Sequence, residues 1–590
     1  MKIIEMDILN ALAQEEYRGQ RELSARCGYS LGKVNQSLAG LQQQGYLSEE
    51  YRLTKQAQEE IREKSPRNAV ILAAGFGLRM MPINQEVPKG LLEIHGEPLI
   101  ERQIRLLQEA GIRDITVVVG FMKEAYEYLI DKFGVRLAVN SEYALKNNLY
   151  SLELVSSLLG NTYIIPCDIW CGANPFSSRE LYSWYMVSDL VDDESGLRVN
   201  RKLELVEVEP ERAGNAMIGI AYLTREDACR VRERLQELCP KKSSAGYFWE
   251  ETLMQGKKMW IPARVVSSRD FFEINTYEQL KELDEGSRNL RSSVLEKIAH
   301  VLGCGTEEIL NIQVLKKGMT NRSFLFACRD RRYIMRIPGE GTGQLINRKQ
   351  EYLVYQTVAG EGISDTIRSF DPENGCKLTE YLEDSRCCDP MVWEDVKKCM
   401  DFLRKFHGKS LSVPHTFDIF ERIHFYQGLW QGETSCYRDY SQTLEHVLEL
   451  KEFIDRQPKR WTLCHIDAVP DNFLMQDTEE GTRIHLIDWE YSGMQDADVD
   501  IAMFAIYAMY EKEQVDRLIE SYYPEGIEKE HRLKIYCYVA ACGLLWSNWC
   551  EFKRLQGVEF GEYSLRQYRY AKEYYRYVKR ELEAENGKGE

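Results

Sequence analysis

Residues 69–74 read AVILAA, a short and fully apolar run that stands directly before Gly75 and Gly77. Such a run predicts a strand buried on both faces, and the two glycines predict an abrupt turn. An amphipathic pattern then extends over 98–110, Gly111 stops it, and a second apolar run follows. Because a strand, a helix and another strand in this order form a parallel crossover unit, this part of the chain is predicted to be an α/β domain with a mostly parallel sheet.

The length of the chain, 590 residues, exceeds what a single hydrophobic core supports. The composition changes at the turn-rich segment KSPRN (64–68) and again near DEGSRN (284–289). We therefore predict three domains, which cover residues 1–65, 66–288 and 289–590.

Composition and charge restrict the environment of the protein. The 16 cysteines include no C-x-x-C pair and predict reduced thiols in the cytoplasm. Glu5 and Asp7 interrupt the first apolar stretch, so no signal peptide is expected, and no run approaches the ~20 apolar residues of a membrane span. The net charge of −17 disfavours broad binding to nucleic acid or anionic lipid, and small anionic substrates would therefore need locally basic pockets.

The glycines after the first strand form the first candidate phosphate site. A dinucleotide fingerprint would need a third glycine where Met80 stands, so that interpretation fails. The loop instead offers backbone N–H groups for a nucleoside triphosphate, at Ala73, Ala74, Gly75 and Gly77. Arg79 and Lys89 follow as two cations that would stabilise the charge of a phosphoryl transition state.

The spacing A-A-G-x-G-x-R…P-K resembles the nucleotidyltransferases that make nucleotide-activated sugars and alcohols. Within that superfamily, NNLYSLEL (147–154), SWYMVS (183–188) and GYFWEE (246–251) resemble the phosphocholine cytidylyltransferase branch. The resemblance implies a Rossmann-like mixed sheet, with CTP and phosphocholine as substrates.

The same resemblance implies a magnesium site. Asp168 ends the strand YIIPCDIW, where the family places a magnesium-binding aspartate. The family supplies a second aspartate in an E-I-D-T context, but this chain has Asn275 there, within FFEINT. Either Glu273 takes over that contact or the second contact is weaker.

Aromatic residues in this domain are candidates for phosphocholine binding. A quaternary ammonium group favours aromatic faces because its charge is spread over methyl groups. The residues expected to enclose it are Tyr150, Trp184, Tyr247 and Trp249. The alternative is that these side chains belong to the core.

A second candidate phosphate site lies in LCHIDAVPDNFLM (463–475). Its spacing resembles the H-x-D-x-x-x-x-N loop of protein kinases, although the D-F-G and A-P-E signatures are missing. Asp467 is expected to accept the proton of a substrate hydroxyl, and His465 to support the loop. Asn472 and Asp488, of IDWE, are expected to hold magnesium.

The segment upstream offers residues for binding ATP. The turn GMTN contributes Gly318, Thr320 and Asn321, and Arg336 stands where a protein kinase has its strand lysine. Glu351 is the expected partner of that arginine. Together with PGEGTGQLINR these residues resemble the bacterial choline kinase family, a branch of the aminoglycoside phosphotransferase-like kinases, from about residue 290 to the end.

Tryptophans near the C-terminus are candidates for binding choline. Trp546 and Trp549 lie three residues apart and hence on one face of a predicted helix, and Trp489 follows the metal aspartate. An aromatic cage for a trimethylammonium group is one interpretation. A tryptophan-rich helix that packs into the lobe is the other.

The first 65 residues have a helix-turn-helix rhythm with a small wing, Gly28 in the turn and Ser30 at a helix start. The second helix exposes Lys33, Asn35 and Gln36 as candidate base-reading residues. Nine Lys/Arg against ten Asp/Glu give weak support for phosphate contacts. DNA binding therefore stays open beside a docking or homodimerising role.

Taken together, the sequence predicts a multidomain α/β and α+β protein: a winged helix-turn-helix module, a nucleotidyltransferase domain and a two-lobed kinase-like domain. By resemblance it is a bifunctional enzyme that uses ATP and Mg²⁺ to phosphorylate choline, then CTP and Mg²⁺ to make CDP-choline for cell-surface decoration. One alternative has the same chemistry on ethanolamine or another amino alcohol. Another is a winged-helix regulator whose enzyme-like domains sense these metabolites.

Overall fold

The structure of the chain is a computed structural model that describes residues 1–192, 195–209, 212–315, 321–339, 345–479, 481–555, 558 and 560–586. The chain divides into two compact units, residues 1–297 and 298–590. No helix in the described part of the chain combines the length and the hydrophobicity that a bilayer crossing needs.

The first unit opens with a helical module. Its helices are α1 (Ile3–Gln14), α2 (Gln20–Cys27), α3 (Leu31–Gln43) and α4 (Lys55–Lys64). Gly28 ends α2 in the left-handed region with φ of +71°, a conformation that glycine adopts without strain. Between α3 and α4, Leu47 and Leu53 form an antiparallel bridge at the base of a small wing. The predicted winged helix-turn-helix is confirmed.

A mixed sheet and its covering helices follow. The strands are β1 (Asn68–Ala73), β2 (Glu93–Ile94), β3 (Glu97–Pro98), β4 (Asp114–Val119), β5 (Arg136–Val139), β6 (Thr162–Pro166), β7 (Ile169–Cys171), β8 (Trp184–Asp192), β9 (Leu197–Val199), β10 (Glu204–Glu207), β11 (Gly214–Leu223), β12 (Met254–Gln255), β13 (Lys258–Val266) and β14 (Phe271–Glu273). The helices are α5 (Leu99–Glu109), α6 (Tyr128–Phe133), α7 (Asn148–Leu154), α8 (Arg225–Leu238), α9 (Tyr277–Leu283) and α10 (Ser293–Leu302).

The main sheet has the strand order β5-β4-β1-β6-β11-β8-β13-β10-β9. β1 is parallel to both β4 and β6, whereas β11 is antiparallel to β6 and β8. Side chains of β1 alternate between two cores: Ile71 packs with Ile104 of α5, and Val70 packs with Leu152 of α7 and Val231 of α8. Because helices cover both faces of the sheet, a ligand is expected to bind at its edge, beyond the carboxyl ends of β1 and β6.

The second unit has a small antiparallel sheet and a larger helical part. Its strands are β15 (Ile309–Val314), β16 (Asn321–Cys328), β17 (Arg331–Pro338), β18 (Ile367–Phe370), β19 (Lys377–Glu380), β20 (Ser385–Cys387), β21 (Trp461–Cys464), β22 (Phe473–Thr478), β23 (Gly481–Leu486) and β24 (Gly493–Asp496). Its helices after α10 are α11 (Arg348–Val358), α12 (Trp393–Gly408), α13 (Ile419–Gly428), α14 (Tyr440–Arg456), α15 (Asp498–Tyr507), α16 (Lys512–Tyr522), α17 (Lys529–Leu555) and α18 (Glu562–Asn586).

These elements form the two lobes that the sequence predicts. The first lobe is the antiparallel sheet β15-β16-β17-β19-β18 with α11. The second lobe is organised around α17, whose side chains are buried without interruption from Leu533 to Glu551. The short pairs β22–β23 and β21–β24 lie in this lobe and carry the loops with the candidate catalytic residues.

The winged helix-turn-helix module packs against the α/β part of the first unit through the segment that leads into β8. Leu181 of that segment is fully buried and belongs to the apolar core of the module. The Tyr182 hydroxyl donates to the Asp7 carboxylate at 2.9 Å, and Arg179 donates to the Ala13 carbonyl at 2.8 Å. The module therefore shares a core with the domain that follows it.

Helix α3, which carries the candidate base-reading residues, has its polar side chains in solvent. Lys33, Asn35 and Gln36 of α3 are exposed, while Val34 and Leu38 of the same helix are buried in the module core. The exposure of these polar residues confirms the sequence interpretation of α3 as an amphipathic helix.

We expect Leu181→Asp to lower the free energy of unfolding of the first unit by about 2–5 kcal/mol, because it places a carboxylate in an apolar core and removes a buried leucine. Urea unfolding followed by circular dichroism measures this change. Leu190→Asp is the matched control, since Leu190 is 58% exposed on β8. Equal unfolding free energies for the two variants would show that the module core does not include Leu181.

Candidate active sites

The loop after β1 is shaped by a close approach of two segments. Gly77 has φ of +64°, and a Cβ atom there would lie 3.3 Å from both Cβ and Cδ of Lys89. Asn84 is fully buried and donates to the carbonyls of Phe76 and Gly77, at 3.2 and 3.0 Å. The glycine is therefore required for Lys89 to reach the site, and Asn84, which sequence reasoning missed, fixes the loop.

The predicted triphosphate-binding residues occupy the end of β1 and the start of this loop. Ala73 and Ala74 are buried, and Gly75 is exposed. Arg79 is exposed on the short 3-10 helix Leu78–Met80 that follows. The loop thus brings the predicted residues to one edge of the sheet.

Lys89 joins the two predicted magnesium positions. Its Nζ donates to Oδ2 of Asp168 at 2.5 Å and to Oδ1 of Asn275 at 2.8 Å. The second oxygen of Asp168, Oδ1, is buried and has no hydrogen-bond partner among the described residues. An unpartnered buried carboxylate oxygen is a suitable magnesium ligand, and the donor set therefore fits this ion.

Glu273 stands beside this cluster because β14 pairs with β7, which places Glu273 opposite Ile169. Burial raises the pKa of Glu273, the charge of Asp168 raises it further, and Lys89 and Arg79 oppose the rise. Asn275 follows at the start of α9, held by its N–H to Gln279 Oε1 at 2.7 Å. The structure brings both candidates for the second contact to the site, Glu273 and Asn275.

A further carboxylate that the sequence analysis did not single out lies near this cluster. Glu250 accepts a hydrogen bond from the Tyr185 hydroxyl at 2.9 Å, and its Oε2 is buried without a partner among the described residues. Burial raises the pKa of Glu250 to about 7, and the charge of Glu273 adds to the rise. No spacing rule identifies this residue, because Tyr185 and Glu250 come from distant segments.

The predicted aromatic cage of the first unit is not assembled. Trp184 and Trp249 are fully buried, and the guanidinium of Arg264 lies 3.7 Å from the ring centre of Trp184. The ring of Tyr150 has Lys146 Nζ 4.0 Å above it. These three rings are therefore core or already covered by a cation, which corrects the expectation. Tyr247 is 38% exposed.

In the second unit, the loop with Asp467 is anchored by a buried carboxylate. Asp500 accepts the backbone N–H groups of His465 and Ile466 at 2.9 and 2.7 Å. The Nε2 of His465 donates to the Ile487 carbonyl at 2.9 Å, so this histidine supports the loop as expected. Asn472 donates to the Asp467 carbonyl at 2.8 Å and to its Oδ2 at 3.1 Å. Asp467 and Asn472 are thus adjacent.

Asp467 lies in a strongly acidic environment. Burial raises its pKa to about 8, and the charges of Asp488 and Glu490 contribute to the rise. A carboxylate with a raised pKa is a stronger base, which suits the acceptance of a hydroxyl proton. A magnesium ion beside Asp488 and Asn472 would relieve the repulsion between these acids, and their oxygen donors fit that ion.

The arginine that replaces the kinase lysine is paired as the sequence predicts. Arg336 forms an ion pair with Glu351 at 2.6 Å and contacts Asp488 at 3.4 Å. Asn321 donates to Glu490 at 2.9 Å. The remaining predicted ATP-binding residues, Gly318 and Thr320, lie outside the described residues.

Arg348, which the sequence analysis did not identify, connects Glu351, Glu490 and Asn321 through hydrogen bonds. Its Nη1 donates to Glu351 at 2.8 Å and to Glu490 at 3.2 Å, and its Nη2 donates to Asn321 at 3.0 Å. Burial and the charge of Asp488 raise the pKa of Glu490 to about 7. The acids of this site are therefore held together by two buried arginines.

Three largely buried aromatic side chains of the second lobe, Tyr491, Trp546 and Trp549, pack together as an aromatic wall, and Lys553 Nζ lies 5.8 Å from the ring centre of Trp549. The ring of Trp546 lies 5.7 Å from Tyr491 and 5.6 Å from Trp549, in edge-to-face contacts. Burial raises the pKa of both Tyr491 and Tyr507, and the negative charge of Asp467 adds to the rise. Trp546 and Trp549 thus lie on one face of α17, as predicted.

Trp489 does not belong to this wall, which corrects the sequence expectation. Its side chain is fully buried between Phe406 and His465, with ring centres 5.3 and 4.6 Å away. Its Nε1 donates to the Leu486 carbonyl at 2.8 Å. The ring and its polar group are both packed within the core, so Trp489 supports the loop that carries Asp467.

Family models match the chain in separate segments. Residues 312–541 match the choline/ethanolamine kinase family, and residues 69–173 match the MobA-like NTP transferase domain. Residues 6–75 match the wHTH-PRTase associated family.

Individual relatives match the two enzyme parts. The choline-phosphate cytidylyltransferase of Streptococcus pneumoniae is 30% identical over 235 residues, which cover 38% of this chain and 98% of the relative. Protein LicA of Haemophilus influenzae is 30% identical over 267 residues, which cover 42% of this chain and 75% of the relative. The crystal structure of choline kinase LicA from Streptococcus pneumoniae is 29% identical, with a TM-score of 0.42, and covers 48% of this chain and 97% of that one.

The family models and the two relatives that are 30% identical establish the chemical class of the protein. A nucleotidyltransferase domain and a kinase domain are joined in one polypeptide. The chain therefore belongs both to the choline-phosphate cytidylyltransferase family and to the LicA-like choline/ethanolamine kinase family, and it is a transferase.

Proposed function

We propose that the second unit phosphorylates choline with ATP, and that the first unit transfers a cytidylyl group from CTP to the phosphocholine produced. The products are CDP-choline and pyrophosphate, and CDP-choline would serve as the activated head group for cell-surface decoration. The observation that carries the proposal is the aromatic wall of Tyr491, Trp546 and Trp549, in which the charge of Asp467 acts on the Tyr491 hydroxyl. The similarity to relatives named for choline and phosphocholine supports the same assignment.

The aromatic wall favours a quaternary ammonium over a primary one. A trimethylammonium group has no N–H donors, and aromatic faces attract it by about 0.5–2 kcal/mol each. A primary ammonium prefers oxygen acceptors, which the wall does not offer at Trp546 or Trp549. Asp467 and Glu490 add a negative potential that favours either cation.

The kinase step follows from the positions of the acids. The alcohol oxygen attacks the γ-phosphorus, the Asp467 carboxylate accepts the hydroxyl proton, and the bond to the β,γ-bridging oxygen breaks to release ADP. Asn472 holds Asp467 in place through the hydrogen bonds at 2.8 and 3.1 Å. Magnesium, when bound at Asn472 and Asp488, supplies the charge that stabilises the phosphate oxygens.

The nucleotidyltransferase step uses the other cluster. A phosphate oxygen of phosphocholine attacks the α-phosphorus of CTP, and the bond to the α,β-bridging oxygen breaks to release pyrophosphate. Lys89 and Arg79 stabilise the added negative charge. Asp168 would hold magnesium through its unpartnered Oδ1. Glu250, through its unpartnered Oε2, would face the ammonium group of the substrate.

The experiment that tests this function is phosphorus NMR of the protein with choline, ATP, CTP and magnesium, which reports both steps in one sample. Asp467→Asn should reduce phosphocholine formation by about 10²–10⁴-fold because the proton acceptor is lost, while supplied phosphocholine is still converted. Lys89→Ala should show the opposite pattern, with about 10²–10³-fold slower cytidylyl transfer and normal phosphorylation.

Loss of both reactions in either variant would contradict the assignment of one reaction to each unit. Replacing choline by ethanolamine in the same sample tests the alcohol. Faster phosphorylation of ethanolamine than of choline at equal concentration would assign the site to the primary amine.

We expect Asn275→Asp to lower the magnesium concentration needed for cytidylyl transfer, because it adds a second carboxylate beside Asp168. Two measurements check this: the half-saturating magnesium concentration of the reaction, and the affinity for Mn²⁺ by electron paramagnetic resonance. The kinase reaction of the same sample is the internal control and should be unaffected. An unchanged metal affinity would show that Asn275 does not contact the ion.

We expect Glu250→Gln to raise the KM for phosphocholine and to flatten its pH dependence. The pKa of Glu250 is raised to about 7, so the carboxyl group is charged above this pH and neutral below it. In the natural protein the KM should therefore fall as the pH rises from about 6 to 8. Glu251→Gln is the matched control, because Glu251 is the exposed neighbour. The same pH profile in Glu250→Gln and in the natural protein would exclude this role.

A further inference from the structure

The segment that carries Lys89 is held by residues from a distant part of the first unit. Lys89 begins a short 3-10 helix, Lys89–Leu91, and β2 follows shortly after it. Residues 284–293 follow α9 and reach the first residue of α10, so they form a connector between these two helices. Both segments belong to the same compact unit, residues 1–297.

On the carboxyl side of Lys89, the connector holds Glu93 by its backbone. The Glu93 N–H donates to Oδ1 of Asn289 at 2.7 Å, and the Ser287 hydroxyl donates to the Glu93 carbonyl at 2.8 Å. Two residues further on, the His95 N–H donates to Oδ2 of Asp284 at 2.6 Å. Side chains of the connector therefore satisfy both polar backbone groups of Glu93.

On the amino side of Lys89, the connector holds Glu86. Oε1 of Glu86 accepts the backbone N–H of Ser293 at 2.8 Å and its hydroxyl at 2.5 Å. Glu86 stands three residues before Lys89, and Glu93 stands four residues after it. The lysine thus lies between two points of attachment to the same connector. Because both ends of so short a segment are fixed, its backbone has few conformations.

The backbone between these two points is itself ordered. The Leu92 N–H donates to the Lys89 carbonyl at 3.3 Å. A Cβ atom at Gly90 would lie 3.2 Å from Cβ of Cys167, so the 3-10 helix packs directly against the residue before the predicted metal aspartate. A displacement of Glu93 would therefore also move the backbone of Lys89.

Lys89 depends on the position of its backbone because its side chain is long and flexible. Its Nζ donates to Asp168 at 2.5 Å and to Asn275 at 2.8 Å. Asn275 stands just before α9, and the connector stands just after it, so one helix links the residue at Nζ to the residues that hold the backbone. Displacing a catalytic group by about 1 Å can lower a rate by about 10²-fold.

We propose that the connector positions Lys89 for cytidylyl transfer, with Ser287 and Asn289 as positioning residues. This inference rests on the cytidylyl transfer proposed above. The two residues act through Glu93 and the 3-10 helix, and the contact with the α-phosphate oxygens is made by Lys89. The boundary predicted at residue 288 divides the connector, so the functional limit of the nucleotidyltransferase part lies beyond it.

The test compares Asn289→Leu, Asn289→Asp and the natural protein as full-length chains, by pyrophosphate release with phosphocholine, CTP and magnesium. We expect Asn289→Leu to lower kcat by about 10-fold or more with little change in the KM for phosphocholine, because it removes the acceptor of the Glu93 N–H. Adding Ser287→Ala should lower kcat further, since both backbone contacts of Glu93 are then lost.

The conservative variant keeps the hydrogen bond. Asn289→Asp retains an oxygen acceptor at the same position, so its kcat should stay within about 2-fold of the natural value. An unchanged kcat in Asn289→Leu, or equal losses in Asn289→Leu and Asn289→Asp, would overturn the proposal.

A double variant separates the positioning of Lys89 from a general loss of structure. If Asn289 acts through Lys89, adding Asn289→Leu to Lys89→Ala should slow the reaction by no more than about 2-fold beyond Lys89→Ala alone. Losses that multiply in the double variant would overturn the proposal. Arg288→Ala alters the exposed neighbour of Asn289 and should leave cytidylyl transfer unchanged. Phosphorylation of choline by the same samples is the internal control.

Failure of the proposed reaction itself gives a different result. If the natural protein transfers no cytidylyl group to phosphocholine or phosphoethanolamine, amide hydrogen exchange and calorimetry with magnesium–CTP still test the connector. Asn289→Leu must then accelerate exchange in residues 86–95 and weaken binding of CTP, without adding to the loss of binding in Lys89→Ala. Unchanged exchange in residues 86–95, or an unchanged affinity for CTP, would overturn the proposal.

Discussion

Each candidate phosphate site of this chain holds acidic side chains together where little water screens their repulsion. Lys89 offsets Asp168 in the nucleotidyltransferase site. Arg336 and Arg348 are interleaved with Glu351 and its acidic neighbours in the kinase site. These cations permit the acids to stay close, and they are also the groups that phosphate oxygens would approach. Buried polar residues hold the loops that carry these charged groups: Asn84 in the first unit and Asp500 in the second.

The parts of the structure that local sequence determines were predictable. The apolar run of β1, the glycines after it and the spacing between Asp467 and Asn472 each specify geometry within a few residues of the chain. The resemblance to known families located Asp168 and the pair Arg336–Glu351. The confirmed folds are those the motifs implied. The structure brings Lys89 and Asp168 together, and Asp467 and Asn472, while the roles of these residues stay predictions.

The parts that depend on distant packing were not predictable. Trp184 and Trp546 were both candidates for binding an ammonium group, yet Arg264 covers the ring of Trp184, whereas Trp546 packs against the rings of Tyr491 and Trp549. Spacing specifies the face of a helix or strand on which a ring lies, but not the side chain that covers that face. For the same reason, the sequence did not identify Glu250 or Arg348 as site residues. Their contacts join segments that lie far apart in the chain.

Leu181 lies in the α/β domain by sequence but in the winged helix-turn-helix module by packing. A recombination event that exchanged such modules at the turn near residue 65 would leave this leucine exposed and deprive the incoming helices of a core residue. The module and the segment before β8 would therefore have to be exchanged as a pair. In related chains, an apolar residue before β8 would mark the presence of the module, and a polar one there would mark its loss.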